Sequence, residues 1–210
     1  MDTYKETFNT WNKLASLYQD KFMHLELYNA SYDFICNTIT KHNATILEIG
    51  CGPGNITKYL LSQRPDFDVL GIDIAPNMIS LAKANNPSAK FEVMDARAIN
   101  EIETTFDGII AGFCLPYLSP QDANTFIFNT YQLLNKHGCV YLSFVEGNPS
   151  QSGFQTASTG DRSYFYYHNL EQLKTQLSSA GFQAFKTFFV EYQNAKKETE
   201  IHTILVARKM

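Results

Sequence analysis

Gly50, Gly52 and Gly54 alternate directly after a short apolar run, Ile46, Leu47 and Ile49, and a helical pattern starts at Asn55. The run reads as a buried parallel strand, so the glycines form a turn between a strand and a helix N-terminus. Bare backbone lets a ligand approach such a turn closely, and the helix-end N–H groups favour an anionic ligand group. About twenty residues on, a second apolar run (Val69, Leu70, Ile72) ends in Asp73. A carboxylate there can accept hydrogen bonds from both hydroxyls of a ribose. A third run, Phe91 to Met94, ends at Asp95-Ala96, again an acid at a strand's C-terminal end. This spacing predicts recognition of a nucleoside-containing cofactor.

The hydride-enzyme fingerprint G-x-G-x-x-G would need its third glycine at position 55, which is Asn55, and Pro53 removes an N–H from any pyrophosphate cradle. A nicotinamide dehydrogenase is therefore disfavoured. Glu48 to Gly54 reads E-x-G-x-G-x-G, and with Asp73 after it closely resembles motif I of the class I S-adenosylmethionine-dependent methyltransferases. The resemblance implies S-adenosylmethionine as cofactor, its methionine end over Glu48, Gly50, Cys51, Gly52 and Gly54. It implies Asp73 at the ribose, Ile74 and Met78 in the adenosine pocket, and Asp95 with Ala96 at the adenine. A cap on the next turn is the alternative for Asp95. Tyr18 is placed near cofactor or substrate by the same resemblance, with simple packing as its alternative.

Phe106 to Gly112 reads as a fourth strand, and Phe113 to Leu118 as the loop leaving it. Ligands of open α/β sheets sit at strand C-termini, so Gly112 and Phe113 should face the transferred methyl. Pro116-Tyr117 resembles the second half of the D/N-P-P-Y/F motif of amino-methylating enzymes. Cys114 and Leu115 occupy its first half, and neither accepts the strong hydrogen bond that orients an amino nitrogen. Adenine or cytosine amino methylation is disfavoured accordingly, and Cys114 reads as a packing thiol. Candidates for a proton acceptor or acceptor contact are His168, Glu146 and Tyr117; a helix-start or core position is the alternative for His168.

The elements that must hold these residues are legible in the periodicity. Residues 4–22 and 26–41 read as two amphipathic helices, an N-terminal cap over 1–42. Helices are predicted at 55–63, 76–85 and 121–135, the last closed by Lys136-His137-Gly138 with Gly138 as C-cap, and at 169–180 before Gly181. A fifth strand spans 139–145, and two long strands, 182–192 and 198–208, are joined by a polar turn at 193–197. Residues 146–168 are polar and glycine-rich and lead into Tyr164-Phe165-Tyr166-Tyr167, which predicts a lid, with a surface hairpin as alternative. Alternation allows only one pair, Tyr164 with Tyr166 or Phe165 with Tyr167, to face a site. The fold class predicted is a single α/β domain over 1–210, Rossmann-like. Its sheet should have about seven mostly parallel strands and a C-terminal antiparallel hairpin.

Composition narrows the partners. Hydrophobic residues at 44% and charged residues at 18% describe a globular chain rather than a disordered one. A net charge of −4 offers no general attraction to nucleic acid or an anionic membrane. Cys36, Cys51, Cys114 and Cys139 make no metal-binding or disulfide pattern, and no signal peptide or spanning run is evident. The expectation is a cytoplasmic methyltransferase, without a metal, acting on a small-molecule oxygen, nitrogen or carbon nucleophile. A non-catalytic S-adenosylmethionine-binding module stays open as the alternative, since transfer by proximity requires no obligatory catalytic residue.

Overall fold

The computed structural model describes residues 2–157, 159–194 and 197–210. Ser158 of the expected lid, and Ala195 and Lys196 of the expected last turn, lie outside the described residues. Strands β1 (Thr45–Ile49), β2 (Asp68–Asp73), β3 (Lys90–Val93), β4 (Phe106–Ala111) and β5 (Leu134–Val145) pair in parallel. Strands β8 (Phe182–Gln193) and β9 (Thr199–Lys209) pair antiparallel, β9 against β5, giving the order β3-β2-β1-β4-β5-β9-β8. The expected fold class is observed, seven strands with an antiparallel pair at one edge. The order reverses between β1 and β4, so a crevice opens beyond their C-terminal ends.

Both faces of the sheet are covered, which explains why the central strands read as continuous apolar runs. Leu47, Ile49, Ile109, Val140 and Leu142 pack on α6 (Pro120–Leu133) and α7 (Leu170–Ala180). Ile46, Ile110, Tyr141 and Ile204 pack on α3 (Asn29–Thr38) and α4 (Asn55–Gln63). Helix α5 (Pro76–Asn85) starts on Pro76, whose ring fits a first helical turn.

Three expectations need correction. The first cap helix is broken at Leu14 (φ −91°, ψ 10°) into α1 (Thr3–Lys13) and α2 (Ala15–Phe22). Gly138 is not a helix C-cap: α6 ends at Leu133, and the left-handed residue is His137 (φ 67°). Gly138 is small for another reason, since a Cβ there would sit 3.0 Å from the Asn135 and Asp107 carbonyl oxygens. The 146–168 segment is no irregular loop either. It holds β6 (Gly153–Thr156) and β7 (Arg162–Phe165), an antiparallel hairpin separate from the main sheet.

That hairpin docks on α1. Thr10 Oγ1 donates to the Arg162 carbonyl, Tyr164 N–H donates to Thr7 Oγ1 at 2.9 Å, and Glu6 pairs with Arg162 and Lys13 with Asp161. Helix and hairpin thus form one cover over the strand ends.

Candidate functional site

Beyond the C-terminal ends of β1, β2 and β4 lies a cavity of about 390 Å³, within the size range of small-ligand pockets. Its floor is the glycine turn. Gly50 and Gly52 have positive φ (68° and 53°), and both line the cavity with Cys51. The turn is tied down: Gly50 and Cys51 N–H donate to the Ile72 carbonyl, and Gly52 N–H donates to Asp73 Oδ2 at 2.9 Å. A Cβ on Gly52 would meet only Tyr18 Cε1, at 3.6 Å, so that position looks into the cavity.

Gly54 does not. A Cβ there would lie 2.4 Å from Asn86 Nδ2 and 3.3 Å from Ala82, so this glycine (φ 78°) admits α5 rather than a ligand. Glu48 reaches the cavity wall, but its carboxylate accepts from the Thr57 hydroxyl and backbone N–H, fastening β1 to the first turn of α4. Burial pushes its acid up to about 8, against the lowering effect of Thr57.

Asp73 lines the cavity at the end of β2, with Oδ1 accepting from Ala75 N–H and Oδ2 from Gly52 N–H. Each oxygen keeps a further lone pair for a ligand hydroxyl. Burial raises its acid, and the two backbone donors oppose that. Ile74 and Met78 lie beside it, with Asp95 and Ala96 beyond. Asp95 combines both readings proposed for it. Its side chain caps the following 3-10 turn by accepting from Arg97 N–H and pairs with the Arg97 guanidinium, yet it also borders the cavity.

From β4 come Gly112, Phe113 and Cys114. Phe113 has φ 54°, an uncommon backbone state for a bulky residue, and its N–H donates to Ser143 Oγ at 2.8 Å. Strain of this kind persists where surrounding structure imposes it, often at ligand sites. Burial pushes the Cys114 thiol up to about 12, which marks it as a packing thiol rather than a nucleophile. Tyr18 and Tyr117 flank Trp11 at ring-centroid distances of 5.6 and 5.5 Å, and all three line the cavity. Trp11 Nε1–H is buried without an acceptor among the described residues.

Two candidates fall outside the cavity. His168 is buried, with Nε2 on the Leu115 carbonyl at 2.8 Å, and burial lowers its basicity. The Glu146 carboxylate faces Leu170 N–H at the start of α7. Both are tie points for the chain after β5. The hairpin instead contributes Phe165 and Tyr167, one of the two alternating pairs expected. Sequence reading missed Tyr28, Tyr192, Glu200 and His202, which neighbour one another and also line the cavity. The Glu200–His202 spacing on one strand face was the available signal.

The residues present fit a nucleoside sulfonium ligand. Glu48, Asp73, Asp95 and Glu200 line the cavity, and no Lys or Arg does so among the described residues. Asp73 keeps lone pairs for a ligand's hydroxyls, and aromatic rings offer faces to a cation.

Fold and site together define a cofactor-binding α/β protein of the methyltransferase type. A methyltransferase-domain family profile matches residues 46–138, which holds the glycine turn, Asp73, Asp95 and the β4 loop. Residues 46–138 thus carry a methyltransferase-type domain, and the chain is similar to the class I S-adenosylmethionine-dependent methyltransferases, whose cofactor is S-adenosylmethionine. Among relatives, a putative methyltransferase, 235L, of Invertebrate iridescent virus 6 is 34% identical over 122 residues, 58% of this chain but only 44% of the viral protein. An uncharacterized methyltransferase of Alkaliphilus oremlandii is 27% identical over 180 residues, covering 83% of this chain and 77% of the relative. The fold is shared with the 1,6-didemethyltoxoflavin-N1-methyltransferase of Burkholderia thailandensis, solved with 1,6-didemethyltoxoflavin and S-adenosylhomocysteine. That match has a TM-score of 0.73 and 18% identity, over 98% of this chain and 88% of that one.

Proposed function

We propose that this protein transfers the methyl group of S-adenosylmethionine to a small, planar acceptor that is neutral or cationic. The observation that carries this reading is the cavity's lining. Among the described residues its charged side chains are all acidic, and its walls include the rings of Tyr28, Phe113, Tyr117, Phe165, Tyr167 and Tyr192. Flat aromatic walls suit a planar molecule, while an anionic acceptor would meet carboxylates and no described Lys or Arg. The toxoflavin-precursor enzyme that shares the fold acts on a molecule of this general shape, which supports the same choice.

When bound, the cofactor supplies an already activated methyl on a sulfonium. The chain's task is to hold an acceptor in line and keep water out, and positioning of that kind can lower a barrier by about 7–11 kcal/mol. Phe113 and Tyr117 stand at the strand-end loop, where they can orient the acceptor. Phe165 and Tyr167, carried by the hairpin, cover it.

Two measurements test the proposal. Calorimetric titration should show S-adenosylhomocysteine binding and no NADH binding. Incubation with methyl-labelled S-adenosylmethionine and a metabolite extract should then place label in products not retained by an anion exchanger. Label confined to strongly anionic products would refute the acceptor class, and absence of cofactor binding would refute the whole reading.

A further inference from the structure

One polar group of the cavity wall is explained by neither the glycine turn nor the strand-end acids. The Tyr28 hydroxyl, just before α3, lies 2.7 Å from His202 Nδ1. His202 stands on β9 opposite Val145, the last residue of β5, and therefore at the same sheet edge as the glycine turn. Its Nε2 is 3.7 Å from Oε2 of Glu200, two residues back on the same strand face. Tyr192 stacks on the imidazole at 4.7 Å, and Phe113 meets it edge-on at 4.8 Å. All five side chains line the cavity.

Resting on the methyl-transfer reading, we propose that Glu200, His202 and Tyr28 form a proton relay serving an acceptor hydroxyl or acidic ring N–H, with Tyr28 the residue that touches it. A carboxylate facing Nε2 favours the tautomer protonated there, which leaves Nδ1 to accept from the Tyr28 hydroxyl. The Tyr28 oxygen, donating its own hydrogen, keeps a lone pair for a hydrogen bond from the acceptor. During transfer the acceptor oxygen or nitrogen forms its bond to the methyl carbon while the sulfur–methyl bond breaks and its electron pair stays on sulfur. The acceptor's proton passes to Tyr28 Oη, and Tyr28's proton passes to His202 Nδ1. The positive charge lost at sulfur reappears on the imidazolium beside Glu200, so the net charge of the enclosed site is unchanged. Keeping charge constant matters in a cavity where an uncompensated ion is costly.

The resting protonation suits this role. Burial raises the Tyr28 phenol well above its usual range and lowers His202, with Glu200 opposing the second effect. Both groups are then uncharged near neutral pH. The other titratable groups near them are Tyr18, Tyr32, Tyr141 and Tyr192, with Lys21 of α2 lying 6.0 Å from the Tyr192 ring centre.

Histidine side-chain nitrogen NMR on the whole chain reads the tautomer directly. His202 should carry its proton on Nε2, and a proton on Nδ1 would overturn the relay, because Tyr28 could not hand over its hydrogen. The second probe is 4-nitrophenol, added with S-adenosylhomocysteine at a pH where the free phenol is chiefly protonated. The wild type should bind it as the neutral phenol donating to Tyr28 Oη, with a red-shifted phenol band, and Tyr28→Phe should abolish the shift and weaken binding about tenfold. A bound phenol with an unshifted band, or no binding at millimolar concentration, would refute the assignment. S-adenosylhomocysteine affinity should stay within about threefold in both Tyr28→Phe and His202→Gln. A tenfold loss would move Tyr28 or His202 into the cofactor pocket, whereas failure of the wild type to bind S-adenosylhomocysteine would fault the methyl-transfer reading itself.

Discussion

Asp73 is placed to accept hydrogen bonds from a ligand in the cavity, so the effect of its removal can be estimated. A hydrogen bond to a charged group contributes roughly 1.5–3 kcal/mol, and Asp73→Ala should weaken S-adenosylhomocysteine binding about ten- to a hundredfold. The variant also frees Gly52 and Ala75 N–H, so thermal unfolding should be followed alongside calorimetry. The glycines separate two roles that look alike in sequence. Gly54→Ala places a methyl against Asn86 and Ala82 at φ 78° and should destabilise the fold by about 1–3 kcal/mol in urea titration. Gly52→Val faces open space and Tyr18, so it should abolish cofactor binding, and since φ 53° also strains a β-branched residue, unfolding should be measured beside binding.

At the scale of elements, the cover is a composite. Among the described residues, ion pairs Glu6–Arg162 and Lys13–Asp161 and hydrogen bonds from Thr10 and to Thr7 join α1 to the β6–β7 hairpin, and the hairpin shares no ladder with the main sheet. Exposed ion pairs contribute little, on the order of 1 kcal/mol or less each. The hairpin should therefore open at lower free energy than the central strands and act as the acceptor-side lid. Amide hydrogen exchange is expected to be faster at 153–156 and 162–165 than in β1 or β4, and to slow when S-adenosylhomocysteine is added. Equal and strong protection with and without ligand would instead mark a rigid hairpin. Replacing 149–160 by a short Gly-Ser linker should reduce turnover or raise the acceptor KM, with cofactor affinity changed less than about tenfold.

For the molecule as a whole, buried titratable groups set opposing pH trends. Glu48, raised to about 8, holds a proton in the folded state that it sheds in the unfolded chain above the ordinary value of 4.5. The folded state binds more protons in that window, so this group's contribution to stability falls as pH rises from about 4.5 to 8. His168 and His202 are lowered below 6.5, so the unfolded chain binds more protons and their contribution falls as pH drops below that value. Urea titrations from pH 5 to 9 should show Glu48→Gln gaining on the wild type steadily with pH, and a parallel pair of curves would contradict the buried, protonated carboxyl.

What the sequence alone determined is the chemistry that depends on local order. The run from Ile46 to Gly54, the bounds of α4 and α5, and the acids closing β2 and β3 follow from patterns within a few residues of each other. A buried parallel strand must be apolar, and a turn at its end must be small, whatever the rest of the chain does. Tertiary structure decided which side chains meet. Glu48 is spent on Thr57, Gly54 on α5, and His168 on Leu115, because packing partners far along the chain reached them before any ligand could. Tyr28 and His202 are 174 residues apart and meet only because β9 enters antiparallel beside β5. No period in either segment records that crossing, since strand order is settled by how the whole sheet buries its two faces.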